Sequence, residues 1–329
     1  MSHTAQAIQI TQHGGPEQMR LIDVHVGEPN AGEVRIRHHA VGVNFIDIYF
    51  RTGLYPAPVM PMGLGFEAAG IVEAVGAGVT HVAVGDRVAY GQGPLGAYST
   101  LRVMPALQVV KLPDALSFEQ GAAMMLKGMT VQYLFNTTYP VAAGETILFH
   151  AAAGGVGLIA CQWARALGVK LIGTVSSPEK AALAKAHGAW ETIDYSREDI
   201  AKRVLELTDG KKLPVVYDGV GKDTFNASLD CLQNRGLMVT FGNASGAVDP
   251  VNVGTLAAKG SLYLTRPTLG THVATREKLD AVSASLFGMV ASGKVNIEIE
   301  KRYALADAAQ AHTELAARKT VGASILLPN

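Results

Sequence analysis

The stretch Thr146–Gly157, TILFHAAAGGVG, decides the fold of this chain. An apolar segment runs into a turn of small residues, and a helical pattern follows. The spacing Ala152-x-Gly154-x-x-Gly157 fits the G-x-G-x-x-G fingerprint, with Ala at the first position. At Gly154 the backbone is free to approach a pyrophosphate, and Gly157 permits close contact between helix and strand. The helix N-terminus then offers N–H groups and partial positive charge. The stretch therefore predicts a dinucleotide-binding turn; a small-residue turn without a ligand is the less favoured alternative.

From about residue 125 onward, strands and helices alternate. Alternation at such spacing predicts βαβ units and a doubly wound parallel sheet. The predicted strands are Thr146–His150, Lys170–Val175, Glu191–Asp194, Val215–Asp218, Leu237–Phe241 and Ser261–Leu264. The predicted helices are Phe118–Phe135, Gly155–Leu167, Pro178–His187 and Ser196–Thr208.

The chain before about residue 125 has a different rhythm. It is rich in β-branched residues and punctuated by Gly and Pro, which predicts a β-rich unit of short strands. Its predicted strands include Glu33–Arg37, Gly70–Val75, Asp86–Tyr90 and Leu107–Leu112. After Pro267 the pattern predicts helices over Thr275–Ala291 and Leu305–Ala317 and a final strand over Ala323–Leu327.

Composition narrows the function classes. The chain has 329 residues, 48% hydrophobic and 17% charged, which predicts about two folded domains and argues against disorder. Its 28 basic and 28 acidic residues give zero net charge, so a nucleic-acid partner is not favoured. No apolar run is long enough to cross a bilayer, and the first ten residues show no secretory signal. Cys161 and Cys231 are expected to be buried thiols of a cytoplasmic protein.

The segment after the second strand of the parallel sheet indicates which dinucleotide is bound. NAD-specific sites usually place Asp or Glu at the end of this strand, to bind the ribose 2′-hydroxyl. Here Val175 is followed by Ser176, and the next acid, Glu179, comes after a proline at the predicted start of a helix. Ser176 and Lys180 are candidates to hold a 2′-phosphate by hydrogen bond and charge; the alternative for Lys180 is a solvated helix face. The missing acid favours NADPH as the cofactor.

Several segments together resemble one known family. They are His150–Gln162 (HAAAGGVGLIACQ), Val41–Asn44, Gly53–Pro56, Gly85–Val88, Leu126–Thr130 and Thr265–Pro267. Over essentially its whole length the chain resembles the zeta-crystallin-like quinone oxidoreductases, zinc-free members of the medium-chain dehydrogenase/reductase superfamily, and among them the bacterial quinone reductases. The resemblance implies a GroES-like catalytic domain over residues 1–125 and 268–329 and an inserted Rossmann domain over 126–267. It also implies a homodimer.

The resemblance also implies roles for individual residues. Asn44, Tyr49 and Tyr55 are the catalytic candidates. The cofactor-binding candidates are Asn44, Thr130, Ala153, Gly154, Gly155, Val156, Gly157, Gly173, Ser176, Lys180, Tyr195, Gly219, Phe241, Gly242, Asn243, Thr265, Arg266, Pro267 and Arg318. Purely structural roles, such as capping, packing or surface pairing, remain the alternative for many of these residues. Gly219 falls where the bacterial relatives often have Ser, so a side-chain contact is lost there.

Zinc is not expected. A structural zinc site of four thiolates needs four cysteines, and the chain has two. Where zinc-dependent relatives carry Gly-His-Glu, this chain has Gly65-Phe66-Glu67, and Phe66 cannot ligate a metal. The neighbours His38 and His39 are expected to point to opposite faces of a strand.

These observations favour an NADPH-dependent quinone reductase that transfers hydride directly, with Tyr49, Tyr55 or solvent supplying a proton. The substrate is expected to be a quinone or another conjugated carbonyl compound. An NADPH-dependent enone or alkenal reductase is the second enzyme hypothesis, and single-electron transfer is the alternative to hydride transfer. A non-catalytic, nucleotide- or RNA-binding zeta-crystallin-like role is the alternative from another class.

Overall fold

The computed structural model describes residues 3–56 and 59–328 of the chain. The chain divides into two compact units. The first unit comprises the described residues of 1–129, 273–291 and 297–329, and the second comprises 130–272 and 292–296. The domain limits expected from the sequence remain a prediction, and residues 1, 2, 57, 58 and 329 within them lie outside the described part.

The strands are numbered in chain order. They are β1 (His3–Ile10), β2 (Arg20–Val26), β3 (Glu33–Val43), β4 (Met62–Gly63), β5 (Ala68–Val75), β6 (Arg87–Tyr90), β7 (Leu101–Pro105), β8 (Val110–Lys111), β9 (Thr146–Phe149), β10 (Lys170–Val175), β11 (Glu191–Asp194), β12 (Leu213–Asp218), β13 (Leu232–Thr240), β14 (Tyr263–Thr265), β15 (Ile299–Ala304) and β16 (Ala323–Leu327).

The α-helices are numbered in the same way. They are α1 (Phe45–Thr52), α2 (Phe118–Tyr133), α3 (Gly155–Ala166), α4 (Pro178–Ala186), α5 (Ile200–Leu207), α6 (Phe225–Asp230), α7 (Val253–Ala258), α8 (Leu269–His272), α9 (Arg276–Ala291) and α10 (Ala308–Ala316). Short 3₁₀ turns cover Pro16–Gln18, Ala106–Gln108 and Leu305–Asp307, and a π-helical turn covers Leu134–Thr138.

The first unit is built on mainly antiparallel sheets, in which only β15 and β16 pair parallel among the described strands. Its larger sheet has the order β15-β16-β3-β5-β6-β8, with β7 also paired to β3, and a smaller sheet has the order β2-β1-β4. The C-terminal strand β16 pairs antiparallel with β3, with Ile325 opposite Gly42. Alternation along β3 buries His38 and leaves His39 exposed, so the opposite-face prediction for this pair is confirmed. The core includes the buried side chains of Leu64 and Leu326.

The second unit is built on a parallel sheet. Its strand order is β11-β10-β9-β12-β13-β14, with every neighbouring pair parallel. This is the strand order of a doubly wound dinucleotide-binding sheet. Successive strands are added first on one side of β9 and then, from β12, on its other side. The core on this sheet includes Leu148, Ile172 and Val216, each fully buried. The predicted α/β parallel-sheet fold is confirmed.

A few predicted elements are wrong in extent. Leu107–Leu112 was expected to be a strand, but a 3₁₀ turn occupies Ala106–Gln108 and only the two-residue β8 follows; Leu107 is 66% exposed, so its apolar side chain is not a core position. The helix expected over Ser196–Thr208 begins at Ile200, because Asp199 precedes it and accepts from the Lys202 N–H at 2.7 Å. The helix expected over Phe118–Phe135 ends as an α-helix at Tyr133.

Two expectations about the whole chain concern cysteines and membranes. Cys161 and Cys231 are both buried and free, and burial raises the pKa of each thiol to about 12. Within the described ranges, no helix combines the length and apolar character that crossing a bilayer requires.

Candidate functional site

The Gly-rich turn connects β9 to α3 in the second unit. Gly154 is the N-cap of α3, and Leu158 N–H donates to its carbonyl at 2.9 Å. A Cβ at Gly157 would lie 2.4 Å from the Ala151 carbonyl oxygen and 2.6 Å from two backbone atoms of Ala152, a separation that real atoms do not reach. A Cβ at Gly154 would meet only the Ala151 oxygen, at 3.3 Å. Gly157 therefore serves helix–strand packing, whereas Gly154 keeps the approach to the helix N-terminus clear.

The alanine at the first fingerprint position is matched by a glycine on the neighbouring strand. Ala152 is fully buried, and its N–H donates to the Thr174 carbonyl at 3.0 Å. A Cβ at Gly173 in β10 would lie 2.4 Å from the Ala152 Cβ. Gly173 thus makes room for Ala152 under the turn, which gives this cofactor-binding candidate a packing role.

The candidates for the 2′-phosphate lie together at the carboxyl ends of β10 and β11. Lys180 Nζ donates to Ser176 Oγ at 3.3 Å, and the Tyr195 N–H donates to the Val175 carbonyl at 3.1 Å. Tyr195 is 39% exposed, so its ring is available to a ligand. The N–H of Lys180 is held by Ser177, the N-cap of α4. The cluster offers a cation and a hydroxyl, with no acid at the end of β10, and these donors fit a phosphate monoester.

Glu179 lies in the first turn of α4, as expected. Its pKa is lowered, chiefly by a side-chain hydrogen bond with Ser177. It is therefore a helix-start acid that makes a local capping contact.

The ends of β12, β13 and β14 carry the remaining candidates of the sheet edge. A Cβ at Gly242 would lie 2.2 Å from the Gly219 carbonyl oxygen, so the two chain segments touch backbone to backbone. Arg266 Nη1 donates to Thr240 Oγ1 at 3.2 Å and to the Gly242 carbonyl at 3.0 Å. Asn243, with its amide in the orientation that satisfies both neighbours, donates to the Gly242 carbonyl and accepts from Arg266 Nη2 at 3.2 Å. Arg266 thus secures the turn after β13.

The Phe241 side chain packs beneath this turn, against the sheet. Its ring packs on Phe149 with centroids 5.6 Å apart. A Cβ at Gly219 would approach the Phe241 ring to 3.0 Å, so a serine there would need the ring to give by a few tenths of an ångström. The glycine at this position is compatible with the aromatic packing.

An open cavity of about 440 Å³ lies at this end of the second unit. The segment Thr265–Pro267 lines it, and so does His272, whose ring stacks on Tyr133 at 4.4 Å. Burial raises the pKa of Tyr133, while the charge of Arg266 and a hydrogen bond with Thr130 oppose that rise. Thr130 and Arg266 are therefore brought to the same neighbourhood.

A buried histidine that the sequence analysis did not single out anchors the Gly-rich turn. His150 follows β9 and is 1% exposed. Its Nδ1 lies 3.0 Å from Thr174 Oγ1 and its Nε2 lies 2.9 Å from Ser228 Oγ. Ser228 Oγ is also 3.0 Å from Asp218 Oδ2. Burial lowers the pKa of His150, so the neutral ring ties β9, β10 and α6 together.

The catalytic candidates lie in the first unit, on α1 and just after it. Asn44 is the N-cap of α1 and is 6% exposed. Tyr49 is 7% exposed, and its ring meets that of Tyr55 edge-on with centroids 5.2 Å apart. The Tyr55 N–H donates to the Tyr49 carbonyl at 3.1 Å. The structure therefore brings the two tyrosines together and places Asn44 at the start of the same helix.

Behind Asn44 lie buried charges that the sequence analysis missed as a group. Asn44 Nδ2 donates to Glu67 Oε2 at 2.7 Å, and Lys127 Nζ donates to the same oxygen at 3.2 Å. The side chains of Glu67 and Lys127 are 0% and 7% exposed. Both residues belong to motifs of the sequence, but nothing in their local pattern identifies them as partners.

A second buried group starts from the same residue. The Asn44 N–H donates to Asp47 Oδ2 at 2.9 Å, and the Tyr98 hydroxyl donates to that oxygen at 2.9 Å. The Tyr98 oxygen also lies 2.9 Å from His312 Nε2, and Arg51 Nη1 lies 3.3 Å from His312 Nδ1. Burial raises the pKa of Asp47 to about 7 and lowers that of His312 to about 3. These contacts fix α1 against the C-terminal segment.

The position where zinc-dependent relatives have a histidine is apolar here. The Phe66 ring packs against Phe50 with centroids 5.3 Å apart. Across residues 3–56 and 59–328, no group of three or more His, Cys, Asp or Glu side chains is arranged to hold a metal ion.

Arg318 follows α10 in the first unit. It is exposed and adopts a left-handed backbone conformation with φ of 57°, and its N–H donates to the Leu315 carbonyl at 3.0 Å. Its predicted contact with the cofactor stays a prediction.

Comparisons with known proteins agree with this geometry. The family model described as "Alcohol dehydrogenase GroES-like domain" matches residues 30–114, and the model described as "Zinc-binding dehydrogenase" matches residues 155–284. A quinone oxidoreductase of Pseudomonas aeruginosa is 64% identical, with 98% of this chain and 100% of the relative covered. The predicted GroES-like fold of the β-rich part is confirmed by the first match.

Two solved structures are also similar. A quinone oxidoreductase of Pseudomonas syringae pv. tomato is 62% identical with a TM-score of 0.97, and 98% of this chain and 100% of that chain are covered. The quinone oxidoreductase of Escherichia coli, solved in complex with NADPH, is 53% identical with a TM-score of 0.97 at the same coverage.

Proposed function

This chain belongs to the quinone oxidoreductases of the medium-chain dehydrogenase/reductase superfamily, and we propose from this premise that it reduces quinones with NADPH. The observation that carries the proposal is the edge of the parallel sheet. There the Gly-rich turn before α3 adjoins a strand end that offers Ser176 and Lys180 and no acid. The relative from Escherichia coli, solved with NADPH, supports the same choice of cofactor.

We assign the binding of NADPH to the sheet edge of the second unit. The backbone of Ala153–Gly157 receives the pyrophosphate, because the first turn of α3 leaves N–H groups without partners inside the helix. Ser176, Lys180 and Tyr195 surround the 2′-phosphate. The turn Phe241–Asn243 and the segment Thr265–Pro267 bind along the same sheet edge, with Gly173 and Gly219 supplying room. We assign Thr130 to the nicotinamide end. Arg318, in the first unit, remains a candidate that rests on the family resemblance.

The first unit supplies the residues that act on the acceptor. NADPH, when bound, provides the hydride that reduces the quinone. Reduction to the hydroquinone consumes one hydride and one proton, so the developing oxyanion needs a donor. Tyr49 or Tyr55 donates a hydrogen bond or the proton to that oxygen, or orders a water that does so. Asn44 forms a hydrogen bond at the nicotinamide end of the cofactor and helps to orient it toward the quinone. Proximity and orientation of the two reactants then supply much of the rate enhancement.

The proposed reaction uses no zinc. Phe66 stands where a ligand would be required, and its ring is packed against Phe50. Quinones accept hydride readily, so hydrogen-bond donors can replace a Lewis acid in polarising the acceptor oxygen. Metal analysis of the purified, active protein tests this part: stoichiometric, tightly bound zinc would contradict it.

The protein is further proposed to act in the cytoplasm as a homodimer. Two buried free thiols suit a reducing compartment, and the homodimer rests on the resemblance stated above. Light scattering coupled to size exclusion should give twice the chain mass of 34.6 kDa. A particle of the chain mass at assay concentration would remove the homodimer from the proposal.

An acceptor screen tests the proposed function. NADPH oxidation is followed with 1,4-benzoquinone, with a conjugated alkenal and with no acceptor, and each series is repeated with NADH. The proposal expects turnover with NADPH and the quinone, at a kcat/KM well above that with NADH. Turnover on the alkenal alone would favour the enone reductase, and tight NADPH binding with no turnover would favour a non-catalytic role.

A further inference from the structure

A chain of four hydrogen-bonded side chains joins α1 to α10 in the first unit. Arg51 Nη1 lies 3.3 Å from His312 Nδ1. His312 Nε2 and Asp47 Oδ2 each lie 2.9 Å from the Tyr98 hydroxyl oxygen. All four residues are buried, and the most exposed of them, Arg51, has 4% of its surface accessible. Polar groups buried in this way need a donor opposite an acceptor at every contact.

Arg51 sets the direction of the chain, because a guanidinium group only donates. His312 Nδ1 must therefore be the unprotonated nitrogen of its ring. Burial, with the charge of Arg51, lowers the pKa of His312 to about 3, so the ring is neutral and its single proton is on Nε2. That proton is donated to the Tyr98 oxygen, and the hydroxyl proton of Tyr98 is left for Asp47.

Asp47 Oδ2, at the end of the chain, accepts twice. It receives the Tyr98 O–H and the Asn44 backbone N–H, each at 2.9 Å. The other carboxyl oxygen, Oδ1, is buried with no hydrogen-bond partner in the described part of the chain. A proton taken up by Asp47 therefore goes to Oδ1, and Oδ2 is an acceptor in both charge states.

This carboxyl group determines where α1 begins. The Asn44 side-chain oxygen accepts from the Asp47 N–H, which completes the capping box at the start of the helix. Asn44 Nδ2 donates to Glu67 Oε2 at 2.7 Å. Tyr49 follows on the same helix and is 7% exposed. The positions of two catalytic candidates therefore depend on the contacts of Asp47.

We propose that Arg51, His312 and Tyr98 are positioning residues of the reductase. Hydrogen bonds that run in one direction through them keep Asp47 Oδ2 an acceptor, and that oxygen holds Asn44 at the start of α1. The C-terminal helix α10, through His312, thus fixes the helix that acts on the quinone. The effect on catalysis rests on the proposed function, whereas the direction of the hydrogen bonds does not.

The tautomer of His312 tests that direction. In protein with ¹⁵N-labelled histidine, the ring signals of His312, identified by their absence in His312→Gln, should show a proton on Nε2 alone. His38 is the internal reference: its Nδ1 lies 2.7 Å from the Ser99 carbonyl oxygen, which only accepts, so it should show the opposite tautomer. A proton on His312 Nδ1 at neutral pH would overturn the inference.

Tyr98→Phe tests the effect on catalysis. It removes the hydroxyl and keeps the ring, so Asp47 Oδ2 is left with a single donor. With NADPH and 1,4-benzoquinone, kcat should fall about tenfold, as for the loss of one hydrogen bond to a charged group. The KM for NADPH should change less, because its binding is assigned to the second unit. His312→Met should act in the same way, whereas His312→Gln, whose amide both accepts and donates, should recover part of the loss.

Tyr90→Phe is the matched control. Tyr90 is buried to the same degree, and its hydroxyl lies 2.9 Å from the Nε2 atom of another buried histidine, His38. It also accepts from Arg102 at 3.5 Å, and it makes no contact with α1. This variant should lose thermal stability as Tyr98→Phe does and keep a kcat near that of the wild type.

An equal kcat for Tyr98→Phe and Tyr90→Phe, at a temperature where both are folded, would overturn the positioning role. Should Tyr98→Phe not fold, His312→Met and His312→Gln give the same comparison: equal kcat in these two variants and the wild type contradicts the role. Absence of quinone turnover in the wild type would instead defeat the proposed function, and the tautomer of His312 would still decide the direction of the hydrogen bonds.

Discussion

At the scale of residues, the proposed choice of cofactor rests on Lys180 and Ser176. Their side chains lie within hydrogen-bond distance, at 3.3 Å, beyond a strand end that carries no acid. A ribose 2′-hydroxyl gains little from this pair, whereas a 2′-phosphate gains a charge-assisted hydrogen bond. The preference for NADPH is therefore attributed to what these two side chains donate as well as to the carboxylate that is missing.

The change Lys180→Ala tests that attribution. It should raise the KM for NADPH about tenfold or more, which is the loss expected for one hydrogen bond to a charged group, and leave the KM for NADH nearly unchanged. Steady-state kinetics with both cofactors gives the comparison. Lys185→Ala is the matched control, because Lys185 lies on the same helix and pairs with Glu191 at 2.8 Å. Equal effects of Lys180→Ala on both cofactors would refute the assignment.

At the scale of elements, the turn between β9 and α3 has two glycines with different tasks. Gly157 allows the helix to pack closely on the strand, and Gly154 leaves the helix N-terminus accessible. Gly157 has backbone within 2.4 Å of a Cβ position, and Gly154 has only one atom, at 3.3 Å. The buried His150 ring connects β9 to β10 through Thr174 and to α6 through Ser228. The turn is thus hydrogen-bonded and closely packed on its inner side and open on its outer side.

Substitutions at the two glycines should therefore separate stability from binding. Gly157→Ala should lower the free energy of unfolding by about 1–3 kcal/mol, as overpacking does. Gly154→Ala should cost much less stability yet weaken NADPH binding, because its methyl group obstructs the approach of the pyrophosphate. Urea unfolding and calorimetry measure the two quantities. A Gly154→Ala protein with wild-type NADPH affinity would contradict the role given to this turn.

The same element shows what sequence alone could predict. The pattern around Gly154 predicted the fingerprint, the strand before it, the helix after it and the parallel sheet. The contact of Ala152 with Gly173 could not be predicted, because it depends on the register between β9 and β10. The start of α5 was predicted too early. The Ser196 hydroxyl, a good N-cap by residue type, donates to Asp194 Oδ1, and Asp199 caps the helix instead.

The first unit was less predictable for a related reason. Glu67 and Lys127 meet across sixty residues of sequence, and Tyr98 meets His312 across 214. Buried polar partners so distant leave no periodic signal. The roles of Asn44, Tyr49 and Tyr55 came from the family resemblance, and the structure adds the contacts that orient them.

For the whole molecule, buried ionisable groups set how the free energy of unfolding depends on pH. Burial lowers the pKa of His38 to about 3, and the ring lies 2.7 Å from the Ser99 carbonyl oxygen and 2.9 Å from the Tyr90 hydroxyl. The folded state keeps this ring neutral, while the unfolded chain binds a proton below its ordinary pKa of about 6.5. The contribution of His38 is therefore complete above that pH and is lost as the pH falls below it.

Asp47 acts in the opposite direction. Its pKa is raised to about 7, chiefly by burial. Its protonated form is favoured by folding, so its contribution is present at low pH and is lost as the pH rises through about 7. His150 and His312, whose pKa values burial also lowers, act in the same direction as His38. Because three buried histidines oppose one carboxyl group, the free energy of unfolding should rise as the pH increases from about 5 to about 7.

The variant His38→Gln tests this account. Between about pH 7 and about pH 5 the wild type should lose roughly 2 kcal/mol through His38 alone, and the variant should not show that part of the loss. Urea unfolding at both pH values measures the difference. His25→Gln, at an exposed position of β2, should keep the wild-type dependence. The same pH dependence in His38→Gln as in the wild type would show that the ring is not held neutral.

The central claim is that the second unit binds the phosphorylated dinucleotide at the turn before α3 and the end of β10. Calorimetric titration of the purified protein with NADPH, and in parallel with NADH, tests it most directly. The account predicts stoichiometric binding of NADPH, and binding of NADH weaker by about tenfold or more. No detectable affinity for NADPH, or equal affinity for the two, would contradict it.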